Sequence, residues 1–231
     1  MEITSGLIEV IEKEILEEFG DWAKSYGFAY LPGTDLFVRR TAFGAHRVRI
    51  PIEPSNDGGM IAHLFLQIRV DRVDEFYVSG LSFLKDEKHM RLLKITPSEW
   101  LLQAATLDVE IDRLDNFAVP TGWSFYRFEE ASRIVEGMKE QLLRYGLPYF
   151  EHHSSLEAVF ETLMDDSEFG VINCLSVTAQ SALRVIMAKY LGKDEAFISR
   201  LIDEGYRRVR NANGREVHFT DHIENLDEWT W

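Results

Sequence analysis

The chain has 231 residues, 45% of them apolar and 28% charged, and a formal net charge of −14. Fifteen Phe, eight Tyr and five Trp give it ample surface to bury, which excludes a disordered chain. Its acidic balance disfavours nucleic acid and anionic membrane and favours a basic protein partner, while no apolar run reaches the roughly 20 residues of a membrane span. With one cysteine, Cys174, no internal disulfide is available. No positively charged, apolar leader opens the chain, so a cytoplasmic location is expected.

Residues 3–24 predict an amphipathic helix. Ile3, Leu7, Ile8, Ile11, Ile15, Phe19 and Trp22 recur at helical spacing, and Glu9, Glu12, Glu14, Glu17 and Glu18 fill the other sides. Gly20 or Gly27 marks its end. A β-rich block follows, with runs at 36–40, 45–53, 60–70 and 73–84 separated by turn residues. In the third run Met60, Ala62, Leu64, Leu66, Ile68 and Val70 alternate with His63, Phe65, Gln67 and Arg69. In the second, Val48, Ile50 and Ile52 oppose Arg47 and Arg49; in the first, Leu36 and Val38 oppose Phe37 and Arg39. An antiparallel meander with one core face is predicted. Its outer face is expected to carry Arg39, Arg47, Arg49, His63, Gln67 and Arg69, with Phe37 and Phe65 among them.

Thr96–Trp100 reads as a helix start and Leu107–Asp112 as a further strand. A helix is predicted over Phe128–Tyr145, with Ala131, Ile134, Val135, Met138, Leu142 and Tyr145 inward and a stop at Gly146-Leu147-Pro148. The remainder reads as helical. A segment begins at a capping box over Ser154–Glu157, a second runs from Asn173 or Ser176 to Leu191, and a third from Asp194 to about Asn211. The expected fold is α+β: an antiparallel meander packed on helices, then an all-helical C-terminal region. Residues 1–150 form the sheet domain and 151–231 the helical region, either as a separate domain or packed into one with the first.

The arginine distribution supplies one candidate site. Residues 36–72 carry six arginines against three acids within an otherwise strongly acidic chain. Arg39, Arg47, Arg49 and Arg69 on alternate strand positions could clamp a phosphate or carboxylate, and His63 could move a proton. The competing reading is a solvated sheet face, or arginines paired with the protein's own acids. His218 and His222 have an i, i+4 metal-ligand spacing, but Val217–His222 does not read as a helix, so a surface tail is expected there and no metal. His152-His153 lack a visible nucleophile and orienting group. Cys174 sits in an apolar setting that keeps a thiol inert. Neither phosphate-loop pattern nor a G-x-S-x-G elbow occurs, and no cofactor is expected. Arg207, Arg208, Arg210 and Arg215 suit the end of the last long helix. Trp229 and Trp231 suit a groove or an interface between copies in a homo-oligomer.

Taken in order, the acidic first helix, Gly27-Phe28, Phe37-Val38-Arg39-Arg40, Leu64-Phe65-Leu66-Gln67 and Gly146-Leu147-Pro148-Tyr149-Phe150 resemble a group of uncharacterised bacterial α+β proteins over residues 1–165. The resemblance implies a fold and no activity. Two functions are carried forward. One is non-enzymatic binding of a basic protein partner, in the manner of an immunity or inhibitor protein. The other is capture of an anionic small molecule, with or without catalysis, on the arginine-bearing face.

Overall fold

The first amphipathic stripe becomes helix α1 (Ser5–Ala23), which buries Ile11, Ile15, Leu16 and Phe19. A 3₁₀ turn follows, and Gly27 closes it at φ 81°, where its N–H donates to the Lys24 carbonyl. The computed structural model describes residues 5–56, 58–80, 104–115, 122–166, 176–212, 216–224 and 226. The helix start expected at Thr96–Trp100, and Cys174, Trp229 and Trp231, lie outside the described residues.

The fold is α+β, with an antiparallel five-stranded sheet, a second small sheet and a helical C-terminal region. Strands β1 (Ala29–Tyr30), β2 (Leu36–Arg40) and β3 (Gly44–Arg49) form an antiparallel meander. The next runs are interrupted rather than continuous. Pro51 lacks the N–H that an unbroken strand needs, and its carbonyl accepts from the His63 N–H at 3.0 Å. The chain therefore splits into β4 (Ile52–Pro54), β5 (Met60–Ala62) and β6 (Phe65–Val70). With β7 (Leu107–Glu110) and β8 (Trp123–Phe125), the sheet orders are β1-β2-β3-β6-β7 and β4-β5-β8.

Residues 73–84 were expected as a fourth strand, but helix α2 (Asp71–Ser79) occupies the start of this stretch. Asp71 and Asp74 lie in its first turn, where carboxylates complement the helix dipole. The Asp74 carboxylate accepts the Val70 N–H at 3.0 Å and the Thr106 hydroxyl at 2.8 Å, so this buried acid fixes the turn from strand into helix.

By its internal contacts the chain divides into Met1–Gln67 with Val109–Ser154, and Ile68–Asp108 with Ser155–Trp231. In the first unit α3 (Ala131–Gln141) packs on α1 and buries Ala131, Ile134, Val135 and Met138. The expected stop at Gly146 does not occur. The helix widens into a π turn over Leu142–Gly146 and continues as α4 (Leu147–His152). Pro148 cannot donate, and its ring would strike the carbonyl four residues back; the wider turn removes that conflict.

In the second unit, α5 (Leu156–Met164), α6 (Val177–Tyr190) and α7 (Glu195–Asn211) are N-capped by Ser155, Ser176 and Asp194, which accept from Ala158, Ala179 and Phe197. The first cap falls one residue later than the predicted box. α6 is buried from Ala179 through Ala188, with α2, α5 and α7 packed against it. Residues 217–222 are helical after all, within α8 (Glu216–Glu224), which also packs on α6. Gly205 of α7 lies against the buried ring of Phe219, and a Cβ there would overlap it. Gly205→Ala is expected to destabilise by about 1–3 kcal/mol through overpacking, read as a lower urea midpoint. Among the described residues, no helix is long and apolar enough to cross a membrane.

Candidate functional site

The three-residue loop Thr41–Phe43 sets the pairing of β2 with β3: Leu36↔Arg49, Phe37↔Val48, Val38↔Arg47, Arg39↔His46. Directly paired residues share a face. Arg47 and Arg49 therefore lie with Leu36 and Val38, while Arg39 lies with Phe37, His46 and Val48 on the opposite face. The single outer face expected to hold Arg39, Arg47, Arg49 and Phe37 does not exist, because each odd-numbered residue of β2 faces an even-numbered residue of β3.

Nor is β3 solvated on one side. Gly44 through Val48 are all buried, and Arg47 is only 5% exposed. Arg49 is half-buried; its Nε is 3.6 Å from Asp35 and its guanidinium lies 4.8 Å from the centre of the Phe65 ring. Arg69 belongs to the second unit, where its Nε donates to Asp71 at 2.6 Å. Arg39 donates to the Tyr26 carbonyl at 3.4 Å and to His46 Nδ1 at 3.0 Å, with its guanidinium over Phe28 and Phe150. Arg39, Arg49 and Arg69 are thus engaged by the protein's own carboxylates, carbonyls and rings.

The Arg39 contact fixes the neutral tautomer of His46. Nδ1 must accept, so Nε2 carries the proton and donates to the His153 carbonyl at 3.2 Å. His153 Nδ1–H donates to the Tyr149 carbonyl at 2.8 Å. Burial drives both rings down to about 4. For His46 the adjacent Arg39 adds to this, and for His153 the neighbouring His152 and His46 do so. His46 was not singled out from sequence. Yet period two places it beside Val48 on the inward face, where an imidazole needs polar partners.

The other missed group surrounds β1. Tyr30 is 36% exposed and its hydroxyl donates to the Thr34 carbonyl at 2.8 Å. Its pKa is raised by burial and then by Glu12, Asp35 and Glu17. Glu12 is itself raised, by burial first and then by Asp35 and Glu9. Asp35 is raised by burial, against the pull of Arg49. Helix α1 thus brings carboxylates together around an accessible phenol ring. Glu17 has Lys13 at 3.7 Å and Asp35 has Arg49, but among the described residues neither Glu9 nor Glu12 makes an ion pair.

His63 sits at the junction of β5 and β6. Its Nδ1–H donates to Glu110 at 2.7 Å, its Nε2 stands 3.6 Å from Glu53, and its ring lies 6.2 Å from that of Phe65. His222 is buried in the second unit and stacked 4.5 Å from Tyr77; the side chain of His218 lies outside the described ones. Among the described residues, no group of three or more His, Cys, Asp or Glu side chains is arranged to hold a metal ion. No protein-family model matches the chain, and no similar curated protein or solved structure was found.

Proposed function

We propose that the protein binds a basic protein partner without catalysis, through Tyr30 and the carboxylates of Glu9, Glu12, Glu17 and Asp35. The finer form is an immunity- or inhibitor-type protein that masks that partner. One observation carries the reading: like charges are held together around an exposed aromatic ring, and two of them lack any cation among the described residues. An incoming Lys or Arg relieves that repulsion, stacks on the ring and supplies the missing pairs. The net charge of −14 adds long-range steering toward a basic surface. The anionic-ligand reading has less to stand on, since Arg39, Arg49 and Arg69 already have acceptors or carboxylates of their own.

Charge reversal tests it. Glu9→Lys with Glu12→Lys changes one exposed and one half-exposed side chain, so the fold is expected to survive, with circular dichroism as the check. In affinity capture at low ionic strength the wild type is expected to retain a basic protein that the double variant loses. Identical capture by both proteins contradicts the reading.

A further inference from the structure

Among the described residues, strand β1 ends the five-stranded sheet, so one side of it pairs with no other strand. The register says which groups that side presents. The Leu31 N–H donates to the Leu36 carbonyl at 2.9 Å, and the pairing continues as Tyr30↔Phe37 and Ala29↔Val38. In an antiparallel ladder, hydrogen-bonded and non-hydrogen-bonded pairs alternate. Leu31 and Ala29 therefore turn their main-chain groups toward β2, and Tyr30 turns its N–H and C=O away from it. Among the described residues neither of these two groups has a partner, and both residues of β1 are exposed. Two residues earlier on the same side, the Phe28 N–H already donates to the Ala23 carbonyl at 3.2 Å. Two residues later, Pro32 has no N–H to give. The open edge is thus short and centred on Tyr30.

Helix α1 decides what fits along it. The Tyr30 ring lies 5.3 Å from that of Phe37, which lies 5.0 Å from that of Phe19 on α1. Tyr30 therefore points to the face of the sheet that α1 covers. In a strand laid along β1, the residue opposite Tyr30 projects to that same face. There it meets Glu12, Asp35 and Glu17, the carboxylates that act on the Tyr30 hydroxyl. A lysine or arginine gains their attraction and lays its stem across the ring. A second copy of β1 brings acid onto acid, which disfavours pairing of the edge with itself.

We propose that the basic partner is held as an extended segment, added antiparallel to β1 with a Lys or Arg opposite Tyr30. The main-chain N–H of that residue donates to the Tyr30 carbonyl, and its carbonyl accepts the Tyr30 N–H. The proposal rests on the basic-partner reading and goes beyond it by specifying recognition through the main chain. Antiparallel addition continues the pairing of β1 with β2 and of β2 with β3.

Three forms of the peptide Lys-Val-Lys-Val-Lys-Val-Lys, titrated against the full chain at low ionic strength and read by fluorescence anisotropy, test this. One is unmodified, one is N-methylated on its lysine amides and one on its valine amides, and all carry the same charge. In the proposed register the lysine amides face Tyr30 and the valine amides face away. The unmodified peptide is expected to bind, the valine-methylated form to match it, and the lysine-methylated form to bind about ten-fold more weakly. Equal affinity of the two methylated forms, lost in Glu9→Lys with Glu12→Lys, overturns strand addition and leaves the acidic surface standing. An unmodified peptide that binds the double variant as tightly as the wild type contradicts the surface and the proposal together. Failure of the unmodified peptide to bind overturns strand addition, and the capture experiment then judges the surface separately.

Discussion

Arg184→Ala is expected to lower the stability of the second unit by about 3 kcal/mol. Arg184 projects from α6 and is buried. Its Nε donates to the Leu163 carbonyl, and its Nη2 donates to the Asp165 carbonyl at 3.1 Å and to the Asp166 carboxylate at 2.8 Å. These are the acceptors left over where α5 ends. Gln180 reaches the same two carbonyls, at 3.2 and 3.3 Å, and Arg208 of α7 donates to Gln180 at 2.6 Å and also to Asp166. One guanidinium thus helps to tie α5, α6 and α7 together. Burial works against the Asp166 carboxylate, but Arg184 and Arg208 outweigh it and hold its pKa below the usual range. Arg184→Lys recovers only part of the loss, because a point charge cannot serve three acceptors in the plane of a fork. Urea unfolding measures both variants. A loss below about 1 kcal/mol for Arg184→Ala contradicts this account of the helix junction.

Acidification between pH 6.5 and about 4 is expected to destabilise the first unit through His46 and His153. Both have native pKa values of about 4 against an ordinary 6.5, so above pH 6.5 they are neutral whether folded or not. As pH falls, the unfolded chain takes up the protons first. Stability is lost across that window and levels off below the native values, at about 3 kcal/mol for each ring. Glu12, Asp35 and Asp112 have raised values and act oppositely, regaining stability as they protonate. The histidine contribution is therefore isolated by substitution. Glutamine at position 46 can accept from Arg39 and donate to the His153 carbonyl, and asparagine at 153 can donate to the Tyr149 carbonyl. His46→Gln with His153→Asn is expected to flatten the pH 4–6.5 limb of the urea midpoint. An unchanged slope contradicts the role of these rings.

Much of the architecture could be read from the chain because single residues dictate it. Ile11, Ile15 and Phe19 fall on one helical stripe and are buried. Leu36–Arg40 reads as a strand from its sequence and is one. Asp194 and Ser176 announce helices by the side-chain caps they form. What escaped depends on pairs of segments. Alternation within β2 and β3 says which residues share a face along each strand, but only the register says how the two strands match, and a one-residue shift reverses it. That shift moved Arg39 away from Arg47 and Arg49. The run after Val70 is apolar enough for a strand, and it is the buried carboxylate of Asp74 on the Val70 N–H that selects a helix. The candidate surface escaped for a similar reason. Glu9 and Glu12 were legible as a polar helix face, but Asp35 and Tyr30 join them only when β1 is brought beside α1.

The central claim concerns the acidic surface at Tyr30, and association kinetics test it most directly. With the captured basic protein as partner, stopped-flow mixing across ionic strength is expected to show a steep fall in the wild-type on-rate, by at least about ten-fold between low and physiological salt. The Glu9→Lys, Glu12→Lys protein starts slow and responds little. An on-rate indifferent to salt, or equal in the two proteins, contradicts the claim.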